Sequence, residues 1–282
     1  MHIVLRATLL MLLAPLVSAQ PPASPSLALA TPDFTDSETP PTIAIIIDDM
    51  GHSLSQGRRL VEMDYPVTLA FLPFRRHTTE LANAAHAHQK EIMLHAPMAN
   101  TRNIGLGAGG LDGSMNEPVT ATTLRRAIQS IPHVRGVNNH MGSLLTQLQP
   151  NMNWVMSELF RYPLYFVDSR TIASTIAGET AAAHRVPTLT RDVFLDHEQT
   201  EEYVDAQFQL LIETAKRNGS AIGIGHPHKV TVDYLIKKLP ELDEQGIAVA
   251  TVSGIWAIRN SNREMFNAGE KQDIRPALAR KD

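Results

Sequence analysis

The chain has no cysteine in its 282 residues. That excludes a disulfide framework, a thiolate metal site and a cysteine nucleophile. Any metal must then be held by His, Asp or Glu, and 12 His are available. A basic excess is missing too. With 25 basic and 29 acidic residues the formal net charge is −4, and no long charge run stands out. Nothing in that balance points to nucleic acid. No repeat of fixed period is found, so a repeat architecture is not indicated. The apolar run at residues 7–17 is too short to span a bilayer comfortably.

That run has a context. It follows the short basic start Met1-His2-Ile3-Val4-Leu5-Arg6 and precedes the small residues Val17-Ser18-Ala19. The pattern is that of a secretory signal peptide, removed at about Ala19, with an uncleaved anchor as the alternative. A periplasmic location with no membrane span after cleavage is therefore expected, and the absence of cysteine is compatible with it. Residues 20–41 are rich in Pro, Ser, Thr and Ala without an apolar period and read as a linker. Residues 42–260 carry the folded part, long enough for one large α/β domain. Residues 261–282 read as a polar tail.

The folded part begins with Ile43-Ala44-Ile45-Ile46-Ile47-Asp48-Asp49-Met50-Gly51-His52. An unbroken β-branched run suits a strand buried on both faces of a parallel sheet. Two carboxylates at its end are expensive to bury unpaired, so they call for water, a cation or a hydrogen-bond network. Seven more strand candidates follow, at 67–72, 91–94, 134–137, 164–167, 193–195, 221–224 and 247–252, mostly separated by helical stretches. This alternation implies βαβ units. A doubly wound sheet and a distorted (β/α) barrel of seven or eight strands both fit, and the strand count favours the barrel, as a single domain. One segment breaks the rhythm. Residues 103–113 hold five glycines, the mark of a functional or disordered loop.

Asp48 and Asp49, His95, His140, Asp168, Asp196 and His226 each fall at the end of a different strand candidate. In a barrel the carboxyl ends of all strands meet on one face, where catalytic residues gather. Carboxylates and imidazoles together suit a divalent metal: Zn²⁺ first, with Co²⁺, Mn²⁺ or Ni²⁺ as alternatives.

Six stretches carry a resemblance. They are Ile46-Ile47-Asp48-Asp49-Met50-Gly51, Glu91-Ile92-Met93-Leu94-His95-Ala96-Pro97-Met98 and Gly136-Val137-Asn138-Asn139-His140-Met141-Gly142-Ser143. The others are Phe166-Val167-Asp168-Ser169-Arg170-Thr171, Arg191-Asp192-Val193-Phe194-Leu195-Asp196 and Ala221-Ile222-Gly223-Ile224-Gly225-His226-Pro227-His228. In these the chain resembles the divergent polysaccharide deacetylase family of secreted bacterial proteins, the YibQ-like group. The wider polysaccharide deacetylases are distorted (β/α) barrels that remove acetyl groups from glycans with a divalent metal. The resemblance implies Asp48 as base, Asp49 and His95 as metal ligands and His226 as acid. The family's second ligand His, four residues beyond the first, is Ala99 here, and His140 is the candidate replacement. Asp168 is expected to orient a ligand or acid His, and Asn139, Arg170, Asp196 and His228 to support the site or meet substrate.

The reading is a metal-dependent periplasmic hydrolase removing acetyl groups from a cell-envelope polysaccharide. The alternative is a catalytically weak or inactive glycan-binding protein serving envelope assembly or division, with envelope-protein partners left open. Arg75, Arg76 and Arg170, near strand ends, also leave a metal phosphoesterase open.

Overall fold

The structure is a computed structural model that describes residues 39–270. The signal peptide expected at 1–19, most of the linker and residues 271–282 lie outside the described residues. Nine strands are found among the described residues: β1 (Thr42–Met50), β2 (Thr68–Phe71), β3 (Glu91–Met98), β4 (Gly136–Met141), β5 (Tyr165–Asp168), β6 (Thr188–Thr190), β7 (Val193–Phe194), β8 (Ser220–Gly225) and β9 (Ala248–Ala250). The helices are α1 (Leu54–Val61), α2 (Thr78–Ala87), α3 (Glu117–Gln129), α4 (Gln149–Leu159), α5 (Ala177–Ala183), α6 (Glu201–Asn218), α7 (Lys229–Lys238) and α8 (Val252–Glu270).

All strand pairings are parallel, in the order β6-β5-β4-β3-β2-β1-β8-β7, with β9 beside the first half of β1. The two ends of that order are consecutive in sequence. Arg191 N donates to Asp168 O on β5 at 3.0 Å, and Asp192 N donates to Ile222 O on β8 at 2.9 Å. One extended stretch thus bonds both neighbours, and the sheet is a distorted (β/α) barrel rather than a doubly wound sheet.

Side chains of a strand alternate between its faces. On β1, Ile43, Ile45 and Ile47 join the large apolar cluster shared with the helices. Ala44 and Ile46 join a second cluster with Ala70, Met93, Val167, Leu189, Ile222 and Ile224, the filling of the barrel. Asp48 is next in that inward register, so a carboxylate caps an apolar column. The first residues of α8 close the other end. Val252 and Ile255 belong to the inner cluster, and the Val252 and Ser253 N–H groups donate to Thr68 Oγ1 and Glu91 Oε1 at the starts of β2 and β3.

Several boundaries differ from those expected. β3 runs on to Met98, and β4 lies at Gly136–Met141 rather than 134–137. His95 and His140 therefore lie within strands, not beyond them. β6 has no counterpart in the sequence reading, being three residues with two threonines. α3 starts three to five residues before the threonines expected to cap it, with the Asn116 side chain accepting from Val119 N. Where a polar tail was expected from 261, α8 continues to Glu270.

Candidate active site

The paired carboxylates depend on an irregularity in β1. Adjacent residues of a regular strand point to opposite faces. Here the pairing with β2 slips between Ile47 and Met50, and Asp49 takes φ 54. A bulge of this kind re-aims a side chain. As a result both carboxylates reach one ring. Asp48 Oδ1 lies 3.5 Å from His95 Nδ1, and Asp49 Oδ1 lies 3.4 Å from His95 Nε2.

His140 arrives from the next strand. Its Nδ1 is 3.0 Å from Asp49 Oδ1 and 3.0 Å from His95 Nε2. Asp49 Oδ1 is buried and lies close to both ring nitrogens without a hydrogen bond of good geometry to either. An orphaned carboxylate oxygen between two imidazoles is what a cation would satisfy. Ligand atoms bonded at about 2.0–2.1 Å to a tetrahedral Zn²⁺ are roughly 3.3 Å apart, close to the 3.0 and 3.4 Å found here. Asp49, His95 and His140 thus fit a divalent metal. The missing His at Ala99 has a candidate replacement on a different strand: Pro97, two residues beyond His95 and two before Ala99, pairs with His140 across the β3–β4 ladder.

Asn138, fully buried, ties His95 to Asp48. Its Oδ1 accepts from His95 Nδ1 at 2.8 Å, and its Nδ2 donates to Asp48 Oδ1 at 2.7 Å. With Nδ1 protonated, His95 Nε2 keeps a lone pair facing Asp49 and His140. A ligating imidazole is commonly fixed this way through its other nitrogen.

On the other side, His226 follows β8. Its Nδ1 is 2.9 Å from Asp196 Oδ1, and its N–H donates to Asp196 Oδ2 at 2.6 Å. Thr231 Oγ1 donates to Asp196 Oδ2 as well. Asp196, His226 and His228 lie close enough to hold a metal, but the carboxylate is already filled by these bonds. His228 stacks on His226 with ring centroids 5.6 Å apart.

The charges follow from this packing. Burial pushes the Asp48 carboxyl above the usual range, and His95, His226 and the Asn138 amide hold back part of that rise. For Asp49 burial acts in the same direction, but the His140 and His95 rings outweigh it and hold the carboxyl well below the usual range. Burial lowers His226, while the Asp196 hydrogen bond and the charge of Asp48 prevail and push it up to about 9.

The side chains of Asp168, Asn139 and Arg170 make no hydrogen bond or ion pair with Asp49, His95, His140 or His226. Asp168 does not reach a ligand or the acid His. It accepts from Arg170 N, Thr175 Oγ1 and Gly178 N and so folds the loop after β5. Asn139 points away from Asn138, as strand alternation requires, accepting from Ser169 N and donating to Met141 O. Arg170 is exposed at φ 46, its carbonyl held by Arg191. Asn138 was missed, although its spacing of two from His140 puts both on one face of a strand.

Residues 45–256 match the sequence profile of a family described as divergent polysaccharide deacetylase. The chain is 39% identical over 193 residues to the uncharacterised protein YibQ of Escherichia coli (strain K12), covering 68% of this chain and 60% of that protein's length. It is 31% identical over 214 residues to an uncharacterised protein of Haemophilus influenzae, covering 76% of each. A solved structure of an uncharacterised protein from Agrobacterium tumefaciens C58 superposes with a TM-score of 0.74 at 24% identity, over 79% of this chain and 91% of that one.

Proposed function

Since the chain belongs to the divergent polysaccharide deacetylase family, we propose that it is a metal-dependent hydrolase that removes acetyl groups from a cell-envelope polysaccharide. The observation that carries this is the convergence of Asp49, His95 and His140 on one point, with Asp48 and a protonated His226 flanking it. Asp49, His95 and His140 would hold a divalent cation, Zn²⁺ first, which would supply Lewis acidity toward an acetyl carbonyl and bring the pKa of water to about 7. In this reading Asp48 takes the proton from the attacking water, a role supported by the Asn138 bond that fixes its orientation and by the burial that raises its basicity. His226, with its pKa near 9, carries a proton at neutral pH. It can give that proton to the amine or sugar oxygen that leaves, and Asp196 keeps its ring turned for the transfer. The leader pattern of residues 1–19 supports a periplasmic setting. No helix among the described residues is long and apolar enough to cross a membrane.

Purified protein supplied in turn with Zn²⁺, Co²⁺, Mn²⁺ or Ni²⁺ should release acetate from an N- or O-acetylated envelope glycan. Asp49→Ala should abolish the release and the metal occupancy together. Release that survives Asp49→Ala refutes the assigned chemistry. Glycan binding with no product under any metal would instead favour the binding-protein reading.

A further inference from the structure

The glycine-rich segment and the turn after β2 take no part in the reaction above, yet they pack on each other at the mouth of the barrel. The chain leaves β2 through Pro73-Phe74-Arg75 with Phe74 at φ 59. A bulky residue in the left-handed region is a true outlier, and such strain gathers at functional sites. The strained turn leaves Phe74 47% exposed instead of folded into the core. Arg75 comes next. Its Nε is buried with no hydrogen-bond partner, and no ion pair among the described residues involves it.

The glycines make room for this pair. Gly107, at φ 76, lies where a Cβ would come within 2.7 Å of an Arg75 Nη atom. Gly109, at φ 79, lies where a Cβ would meet the Phe74 ring at 3.1 Å. The segment is anchored. Leu111 N donates to Pro97 O, Ala99 N donates to Leu111 O, and the Asn100 side chain bonds Arg102 N, Ile104 N and Ile104 O. It therefore rests on β3, which carries His95. Beneath the pair, a Cβ on Gly51 would come within 3.2 Å of Arg75 Cβ, two residues beyond Asp49.

We propose that Phe74 and Arg75 form a subsite for an acidic sugar of the polysaccharide, its ring against Phe74 and its carboxylate on Arg75. This rests on the polysaccharide reading of the active site. A guanidinium presents a planar fork that matches a carboxylate. Its Nε is buried without a partner, so the guanidinium has already lost part of its hydration, and a carboxylate on the exposed part of this half-buried side chain supplies the missing counter-charge. An exposed aromatic face beside it offers a rigid platform for the sugar.

The test is equilibrium binding by calorimetry in an Asp48→Asn background, so that no ligand is consumed. The probes are an N-acetylated oligosaccharide whose sugars bear carboxylates and the same oligosaccharide with those carboxylates converted to amides. With Arg75 intact the acidic form should bind about tenfold tighter. Arg75→Gln should bring the ratio to about one while leaving the affinity for the amide form and the thermal midpoint unchanged, and Arg75→Lys should keep part of the preference. Phe74→Ala should weaken both forms equally. A ratio near one with Arg75 intact, a preference that survives Arg75→Gln, or no binding of either form overturns the proposal. So does inorganic phosphate binding as tightly as the acidic oligosaccharide, which would make the site a phosphate site. Acetate release is not the readout. An inactive enzyme with a carboxylate preference leaves the subsite standing, and an active one without it overturns the subsite alone.

Discussion

Replacing Asn138 with alanine removes two hydrogen bonds at once, one to His95 and one to Asp48. His95 then loses the acceptor that keeps the proton on Nδ1. Outer partners of ligating imidazoles are typically worth 10–100-fold in metal affinity. Asn138→Ala should therefore weaken Zn²⁺ binding by roughly that factor, measured by chelator competition on protein shown to be folded by circular dichroism. Unchanged affinity would mean that the amide does not hold the ligand. At this scale the cluster of Asp48, Asp49, His95, His140 and His226 was legible as a candidate site, because charged and imidazole groups at the ends of apolar runs are costly without a purpose. Asn138 and Asn139 were not separable. With β4 read as ending at Val137, both fell in a loop, where alternation says nothing about which faces inward.

Strands and their junctions decide how those residues meet. The β1 bulge turns Asp48 and Asp49 toward one imidazole, and no run of letters announces a bulge when the residue in the left-handed region is not glycine. Another junction clamps the segment after β7 to the end of β8 through Asp196 and His226. The folded pKa of His226 is about 9 against 6.5 for the free group. The clamp's stabilisation is thus complete below about pH 6.5 and is lost as pH rises through about 9, a change on the order of 3 kcal/mol. The thermal midpoint of the protein should fall over this window, and His226→Gln should flatten that part of the profile. Parallel falls in the two proteins would show that the clamp is not the cause. Strand and helix existence was readable from period and punctuation. Their ends were not, because ladder pairing with a neighbour extends β3 and β4 past the apolar residues that signal them.

The whole barrel is a closed circuit with a polar end and a plugged end. α8 supplies the plug, and Ile255 is fully buried in the inner cluster with Ile222, Ile224 and Ala44. Ile255→Ala should lower the unfolding free energy by about 2–5 kcal/mol, read from urea denaturation, without changing the metal affinity of the folded protein. A loss below about 1 kcal/mol would mean that the barrel filling does not depend on the helix. The sequence by itself determined the alternation of strands and helices, the chemical kinds of group available, the exclusion of thiol chemistry and the order of the family's motifs. Each of these follows from local pattern and composition. Tertiary structure alone decided that the sheet closes through Thr188–Phe194 and that His140 stands where Ala99 cannot. It also decided that Asp196 rather than Asp168 holds His226, and that the glycines at 107 and 109 make room for Arg75 and Phe74. The reason is common to all four. Each is a contact between segments distant in sequence, set by which strands lie side by side and which way a kinked backbone turns its side chains. The two carboxylates at the end of β1 belong to both lists: their presence was written in the chain, and their convergence on one imidazole came from a bulge.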